Sequence, residues 1–446
     1  MKTTAPISFP GFDGIRLLAA WAVVYSHSYP IARGPGSPDP LTSMLGHRFS
    51  FGEYAVQVFF IMSGFLLSAS LDYNKDPLRY LANRLFRIVP GFCFAIVASV
   101  LVIAPFLSNL GFWTILVSKD AWRSIFWSIT CLADLTDMPL SASRYPQFSE
   151  FLNGSLWTIP YELVYYLVLL ALYMVLRKDS RVAVASLLLA AFTICGPRFG
   201  LTTVDWNSDT HGLLKLPIAM FETTLPYFSG GVFFYAIHKR WGAPKALVVS
   251  AACLLLGTAF LGMHDVALAL AGPVVVVALG ARRSMLSRFT EKVGDVSYGV
   301  YLFGWPVCLV IALKANTTNP LLVFGLCIPI VFAFAYVMHQ LVEAPVSDRI
   351  KPRLFRWLPR FGSSGSRRTG TETSLSGKER TARAVAYVFC LIMMVRFVIY
   401  PYPFSSNWFG FQVYKLVGIC VVIGLILKAG EYASRRGSAG APAASP

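Results

Sequence analysis

Two polar side chains, Arg16 and His27, lie in the first long apolar stretch of the chain. They are separated by about three turns of an α-helix, so both side chains project from the same face of the helix, about 16 Å apart along the helix axis. Charged residues inside a membrane helix cost about 2.5–3.5 kcal/mol each on insertion scales and usually serve a function. This face could bind an anion at Arg16 and use His27 as a general base. The alternative is an arginine that reaches back to the membrane surface and a histidine that only packs in the core.

A carboxylate in the fourth apolar stretch, Glu162, falls at a depth similar to that of His27. Each residue lies within about 10 Å of the outer end of its predicted helix. A carboxylate in contact with a histidine orients the imidazole and stabilises its protonated form. Because the sequence does not show which helices are neighbours, a contact between Glu162 and His27 is a hypothesis. On that hypothesis both residues are candidate catalytic residues.

Two arginines, Arg84 and Arg87, stand three residues apart near the inner end of the third apolar stretch. Residues at this spacing share a helix face, and paired guanidinium groups suit the recognition of phosphate. The alternative is that they anchor the helix by positive charge on the cytoplasmic side. In the second stretch, Ser63 and Gly64 interrupt an apolar helix with small residues. Such a break admits either a ligand or a neighbouring helix.

The elements that must position these residues are long apolar segments. Of the 446 residues, 56% are hydrophobic and only 14% are charged, whereas soluble domains carry about 25% charged residues. About 20 apolar residues form a helix that crosses the hydrocarbon core of a bilayer. The sequence therefore predicts an all-α fold, a polytopic transmembrane helical bundle with a ten-helix core and two extra C-terminal transmembrane helices. The predicted spans are 12–30, 54–71, 88–107, 156–176, 182–197, 216–237, 246–263, 266–281, 296–313, 321–341, 385–400 and 411–427.

The basic residues are distributed unevenly between the connections of these spans. If the N-terminus is cytoplasmic, most of the 39 lysines and arginines fall in inner segments, as the positive-inside rule requires. We therefore predict an integral membrane protein with both termini in the cytoplasm. The inner surface can attract anionic membrane lipid or an anionic ligand, so the net charge of +17 requires no nucleic acid as a partner.

Neither a metal site nor a cleaved signal peptide is predicted. The eight cysteines include no CxxC pair, and none stands at metal-ligand spacing from a histidine, so we interpret them as packing residues. The N-terminus has no basic region followed by a small-residue cleavage site, so we expect the first span to remain as a helix.

The composition of its segments divides the chain into four parts. Residues 1–350 form the predicted membrane domain, which includes an interfacial or re-entrant helix at 112–131 on the outer side. Residues 351–384 are rich in arginine, serine and glycine and are predicted to form a basic cytoplasmic linker. The two additional transmembrane helices occupy 385–430, and a disordered tail is predicted at 431–446.

Five motifs follow one another in the order expected of a known family. Over residues 8–350 the chain resembles the acyltransferase-3 family of integral membrane acyltransferases, which modify bacterial surface glycans and some small molecules. The family pattern of an arginine, ten residues and a histidine is met by Arg16 and His27, and its pattern RxxR by Arg84 and Arg87. The motifs are FDGIRLLAAWAVVYSH at 12–27, GEYAVQVFFIMSGF at 52–65, RLFR at 84–87, SLWTIPYE at 155–162 and DVSYGVYLFGWP at 295–306.

The resemblance implies an O-acyltransferase of the bacterial inner membrane that uses cytoplasmic acyl-CoA, most often acetyl-CoA, as its donor and needs no cofactor besides it. The acceptor would be a hydroxyl of a glycan such as exopolysaccharide or lipopolysaccharide, or of a lipid-linked saccharide. His27 would take the proton from that hydroxyl, or carry the acyl group itself. We assign acyl-CoA binding to Arg16, Arg84, Arg87, Ser63 and Gly64.

Two features depart from the family pattern. Many members have a histidine near the ninth span, where this chain has Phe303, Gly304 and Trp305. A role for that histidine is not transferred, which leaves His27 as the better-supported base. The last two predicted spans also extend beyond the usual ten.

Two other classes of function stay open from the sequence. Intramembrane arginine, histidine and glutamate could line the path of a proton-coupled transporter or flippase, although the chain has no evident internal repeat. An inactive relative that acts as a scaffold is the second alternative, because the ninth-span histidine is absent.

Overall fold

The computed structural model describes residues 9–45, 49–73, 76–108, 111–131, 152–176, 178–195, 219–259 and 264–357. These residues form helices and their connections, and contain no β-strand. The α-helices are α1 (Phe12–Arg33), α2 (Pro40–Met44), α3 (Phe51–Tyr73), α4 (Pro77–Ala98), α5 (Ala104–Leu107), α6 (Phe112–Val117), α7 (Lys119–Cys131), α8 (Thr158–Leu176), α9 (Asp179–Cys195), α10 (Ala219–Trp241), α11 (Lys245–Thr258), α12 (His264–Gly280), α13 (Met285–Val293), α14 (Ser297–Ala315), α15 (Pro320–Met338) and α16 (Lys351–Trp357). A π-helical turn, Ser99–Ile103, joins α4 to α5.

Several helices are long and apolar enough to cross a membrane, as predicted for an all-helical integral membrane protein. Five segments of the described chain meet this description, and a sixth does so if α12 and α13, which are bent by 68° at their junction, form one span. The first ten predicted spans each overlap a helix, but a count of ten crossings is not confirmed. The predicted spans 385–400 and 411–427 lie outside the described residues. The five segments are Phe51–Tyr73, Arg79–Leu107, Thr158–Leu176, Ser297–Ala315 and Pro320–Arg353.

The segment predicted as one interfacial helix at 112–131 consists of two helices, α6 and α7, separated at Ser118. Trp122 of α7 donates a hydrogen bond to the carbonyl of Leu116 at 2.8 Å, which ties the two helices together. Large apolar side chains are exposed on both helices, among them Trp113 and Phe126. This exposure is typical of a surface that contacts lipid or a partner.

Helix α1 packs against α3, α13, α14 and α15. Its buried apolar residues include Leu17, Ala20, Val23 and Val24, which recur at intervals of one to four residues and form one stripe of the helix. The helix that carries Arg16 and His27 is therefore held on several sides.

Helices α3 and α10 approach each other through glycines. A Cβ atom on Gly64 would collide with the carbonyl of Phe228, and one on Gly231 with the carbonyl of Ile61. Small residues permit this close contact of backbones between membrane helices. The structure therefore gives Gly64, which we predicted to bind the donor, a packing role against α10.

The chain continues as helix beyond the tenth predicted span. Two π-helical turns, His339–Glu343 and Val346–Ile350, lead from α15 into α16. The segment predicted as a linker from residue 351 therefore begins as helix, and Arg79 of α4 attaches it by a hydrogen bond to the carbonyl of Phe355 at 3.2 Å. The rest of that segment and the predicted tail lie outside the described residues.

Candidate active site

A cavity of about 120 Å³ lies between α1, α3, α4, α8 and α14. It brings together five predicted site residues, namely Arg16, Ser63, Arg84, Arg87 and Glu162. They come from four helices, so no single segment of the sequence could form this group. Apolar and aromatic side chains complete the wall, including Phe59, Leu67, Ile88, Tyr166, Tyr298 and Tyr301.

The carboxylate of Asp295 joins two of the cavity arginines. It accepts a hydrogen bond from Arg87 and lies 3.6 Å from the guanidinium of Arg16. Arg16 also pairs with Asp13 of its own helix at 2.7 Å. Burial acts to raise the pKa of Asp295, but the charges of Arg87 and Arg16 and hydrogen bonds from Ser297 outweigh it and lower the pKa to about 2. Asp295 is therefore ionised at neutral pH and fixes both arginines by charge.

A short connection between α13 and α14 places Asp295. Gly294 ends α13 with a φ of 95°, a conformation that favours glycine. The Asp295 carboxylate then accepts hydrogen bonds from the backbone N–H of Ser297, at 3.2 Å, and from its hydroxyl. The carboxylate thus satisfies one of the free N–H groups at the start of α14. One side chain both stabilises a helix terminus and positions two arginines.

Arg84 differs from its neighbour Arg87 in making no ion pair with the described residues, although the charge of Glu162 acts on it at longer range. No carboxylate in the described part of the chain lies within ion-pair distance of Arg84. Its guanidinium lies over the ring of Tyr80, 6.0 Å from the centroid, and its Nε is buried without a hydrogen-bond partner among these residues. A buried donor without a partner is costly, so Arg84 is the cation of the cavity most suited to an anionic ligand.

Glu162 lies in the cavity with the arginines and has polar partners there. It accepts a hydrogen bond from the hydroxyl of Tyr166, one turn along α8, and one from Ser63 at 3.4 Å. No hydrogen bond or ion pair links Glu162 to His27 in the described residues. The contact that we hypothesised between these two residues is therefore not formed. Similar depth in the bilayer did not make them neighbours.

His27 is half-buried and lies apart from the residues that line the cavity. Its ring forms a T-shaped contact with that of Trp305 of α14, with 4.9 Å between centroids and an interplanar angle of 85°. Its Nδ1 is buried without a hydrogen-bond partner in the part of the chain that the structure describes. Trp305 in turn packs on Gly154, where a Cβ atom would lie 2.9 Å from the indole. The close approach of Gly154 therefore supports the tryptophan that contacts His27.

The comparison with known families decides between the open classes of function. A family model described as an acyltransferase domain matches residues 9–340, a range that contains the cavity residues, Asp295 and His27. The chain belongs to the acyltransferase-3 family. As a member of this family it is an enzyme that transfers acyl groups, and its helical bundle is that of a membrane-bound acyltransferase.

Three curated relatives share the same level of sequence identity with this chain. An O-acetyl transferase of Shigella phage Sf6 is 25% identical over 300 residues, which cover 66% of this chain and 84% of the relative. Nodulation protein 10 of Rhizobium leguminosarum bv. viciae is 25% identical, with 66% and 81% covered. The exopolysaccharide production protein ExoZ of Rhizobium meliloti is 25% identical, with 58% and 77% covered. No solved structure matches the chain at a significant level.

Three residues around these sites, Asp295, Tyr166 and Trp305, are not evident from the sequence. Asp295 stands two residues before the start of an apolar helix, which is also the position of an ordinary capping residue. Tyr166 and Trp305 are aromatic residues within apolar spans, where packing is the usual role. The sequence offered one signal of a functional role: Asp295 is the first residue, and Trp305 the last but one, of the family motif at 295–306.

Proposed function

We propose that this protein is a membrane O-acyltransferase that moves an acetyl group from cytoplasmic acetyl-CoA to a hydroxyl of a surface glycan. The observation that carries the proposal is the convergence of Arg16, Arg84 and Arg87 on one cavity. Guanidinium groups recognise phosphate oxygens through paired hydrogen bonds, and CoA is rich in phosphate. In this proposal the donor enters the cavity from the cytoplasm and the acceptor approaches from the other side of the membrane.

The charges of the cavity favour a nucleotide donor. Asp295 accepts from Arg87 and pairs with Arg16, so these two arginines are held in place and partly neutralised. Arg84 makes no ion pair with the described residues, so its charge is available to the ligand. We therefore assign the CoA diphosphate to Arg84, with the pair Arg16 and Arg87 lining the same cavity.

The spacing along α1 suits the long thioester arm of the donor. Arg16 and His27 are about 16 Å apart along the helix axis, a distance comparable with an extended phosphopantetheine. With the nucleotide at Arg16, the acyl group would reach the half of the bundle that contains His27. Ser63 and Glu162 lie in the cavity, and we assign them to positioning this arm.

The chemical step proposed at His27 is a general-base attack. The acceptor hydroxyl attacks the thioester carbonyl while the imidazole takes its proton, the new C–O bond forms and the C–S bond breaks. The CoA thiolate then receives the proton, so the products are the acetyl ester and free CoA. The rings of Trp305 and His27 form a T-shaped contact, and we assign Trp305 to positioning the imidazole.

The acceptor class follows from the relatives. The phage relative is named an O-acetyl transferase and the ExoZ relative an exopolysaccharide production protein. A glycan made or displayed at the inner membrane of a bacterium, such as exopolysaccharide or lipopolysaccharide, is the corresponding acceptor here. With both termini cytoplasmic, His27 would face the side on which such a glycan is exported.

The proposal is tested with purified protein in lipid nanodiscs, supplied with acetyl-CoA and glycan extracted from a strain that lacks the gene. Release of the CoA thiol together with a gain of acetyl esters, detected by mass spectrometry, is expected. Protein that catalyses acetyl-CoA-independent counterflow of a solute, without formation of an ester, would show a transporter instead.

A further inference from the structure

Lys351 is a cation near the donor cavity that comes from outside the matched family domain. It is the first residue of α16, whereas the family match ends at residue 340. The segment that carries it, from the π-helical turn Val346–Ile350 through α16, packs against α4, the helix of Arg84 and Arg87. A segment beyond the matched family domain therefore places a lysine against the helix that carries the RxxR pair.

The position of Lys351 is fixed by a cluster around Phe355. Arg79 of α4 donates a hydrogen bond to the carbonyl of Phe355 at 3.2 Å and lies over its ring at 5.6 Å. The ammonium group of Lys351 lies over the same ring at 5.9 Å. Cations above an aromatic ring are attracted to its π face. Phe355 thus ties both basic side chains to one place on α4.

Three cations lie within electrostatic range of one another there. The charges of Arg84 and Arg87 both act on the ammonium group of Lys351. Arg87 is paired with Asp295, but no carboxylate within the described ranges lies at ion-pair distance from either Arg84 or Lys351. Like charges held together repel unless a counter-ion is present. The arrangement therefore calls for an anion that the described residues do not supply at ion-pair distance.

We propose that Lys351 and Arg84 form a phosphate subsite at the inner end of the cavity, which binds the nucleotide half of the acyl-CoA donor. This inference rests on the proposed function and adds to it a binding residue from the helical extension. The phosphates of CoA stand at two places on the nucleotide, so a donor site needs cations at more than one point. Arg84 lines the cavity and Lys351 extends the positive surface outwards.

The test uses full-length protein in nanodiscs and two donors, acetyl-CoA and acetyl-pantetheine, of which only the first carries phosphate. For Lys351→Gln we expect an increase of about tenfold in KM for acetyl-CoA, an unchanged kcat, and an unchanged kcat/KM for acetyl-pantetheine. Lys351→Arg should restore the KM. The matched control is Arg353→Gln, which removes an exposed charge from the same helix and should leave the KM within twofold of the wild type.

Three results would overturn the subsite. The first is a KM for acetyl-CoA that is the same in Lys351→Gln and wild type, and the second is an equal loss of activity with both donors in that variant. The third result is an effect that appears only in nanodiscs containing anionic phosphatidylglycerol and is absent in neutral phosphatidylcholine, because Lys351 would then bind a lipid headgroup. Failure of the wild type to transfer acetyl groups would instead refute the proposed function itself.

Discussion

Asp295 and Arg16 lie 3.6 Å apart, although one precedes the ninth predicted span and the other lies in the first. The same carboxylate accepts a hydrogen bond from Arg87 of α4. Asp295 therefore bridges the two family motifs that contain these arginines. The electrostatic field of the cavity depends on a residue that neither motif includes.

Replacing Asp295 by Asn should lower the stability of the protein and weaken binding of the donor. The pKa of Asp295 is depressed from 3.8 to about 2, a shift that corresponds to about 2 kcal/mol of stability at neutral pH. Thermal unfolding in detergent measures the loss of stability. A higher KM for acetyl-CoA would report that Arg16 and Arg87 are no longer held in place for the donor. The matched control is Asp13→Asn, since Asp13 is half exposed and pairs with Arg16 on one helix. The control should lose less than about 0.5 kcal/mol.

The stabilisation by Asp295 should also depend on pH. Because its pKa is lower in the folded protein than in the unfolded chain, its contribution is present above about pH 4 and is lost as the pH falls towards about 2. The difference in Tm between wild type and Asp295→Asn should be constant from neutral pH down to about pH 5 and then shrink. A difference that instead grows on acidification would contradict the charge pairing.

Arg84 and Arg87 should respond differently to replacement by alanine. Arg87 is paired with Asp295, so Arg87→Ala should lower both the Tm and the affinity for acetyl-CoA. Arg84 makes no ion pair with the described residues, so Arg84→Ala should raise the KM for acetyl-CoA about tenfold at nearly constant Tm. Equal loss of Tm in the two variants would show that Arg84 is a structural residue.

His27→Ala should lower kcat by a factor of about 10²–10⁴, the usual contribution of a general base. The KM for acetyl-CoA should change little, because the ring lies outside the cavity lining. Binding of CoA, measured by calorimetry, serves as the control for correct folding. Near-normal acetyl transfer by this variant would rule out the proposed base.

The substitution Gly154→Ala should lower the rate of acetyl transfer indirectly, by displacing Trp305 rather than by contacting the substrate. The added methyl group would lie 2.9–3.2 Å from three atoms of the indole, so the ring must shift and take His27 with it. We expect kcat to fall about tenfold, because misplacing a catalytic group by a fraction of an ångström is costly, while the KM for acetyl-CoA stays constant. The double variant Gly154→Ala with Trp305→Phe relieves the clash and should recover part of the rate. No recovery would mean that Trp305 does not position His27.

Local features of the molecule were predictable from the sequence. The apolar runs predicted where helices lie, because a membrane requires about 20 apolar residues per crossing. Helical periodicity predicted that Arg84 and Arg87 share a face, and both line one cavity. The ordered motifs led to the family, which the match over residues 9–340 confirms. The helix of residues 351–357 was missed, because its basic residues interrupt the apolar pattern.

The relations between helices were decided only by the tertiary structure. Glu162 and His27 have similar depths along their helices, yet Glu162 lies with Ser63 and the arginines, while His27 meets Trp305. Gly64 follows Ser63 directly, yet it faces α10, because consecutive residues of a helix point about 100° apart. Depth and periodicity describe one helix at a time, whereas the packing of side chains between helices selects which faces meet. The sequence by itself determined that Arg16 and His27 share a helix, and the fold determined that Asp295 holds the first and Trp305 contacts the second.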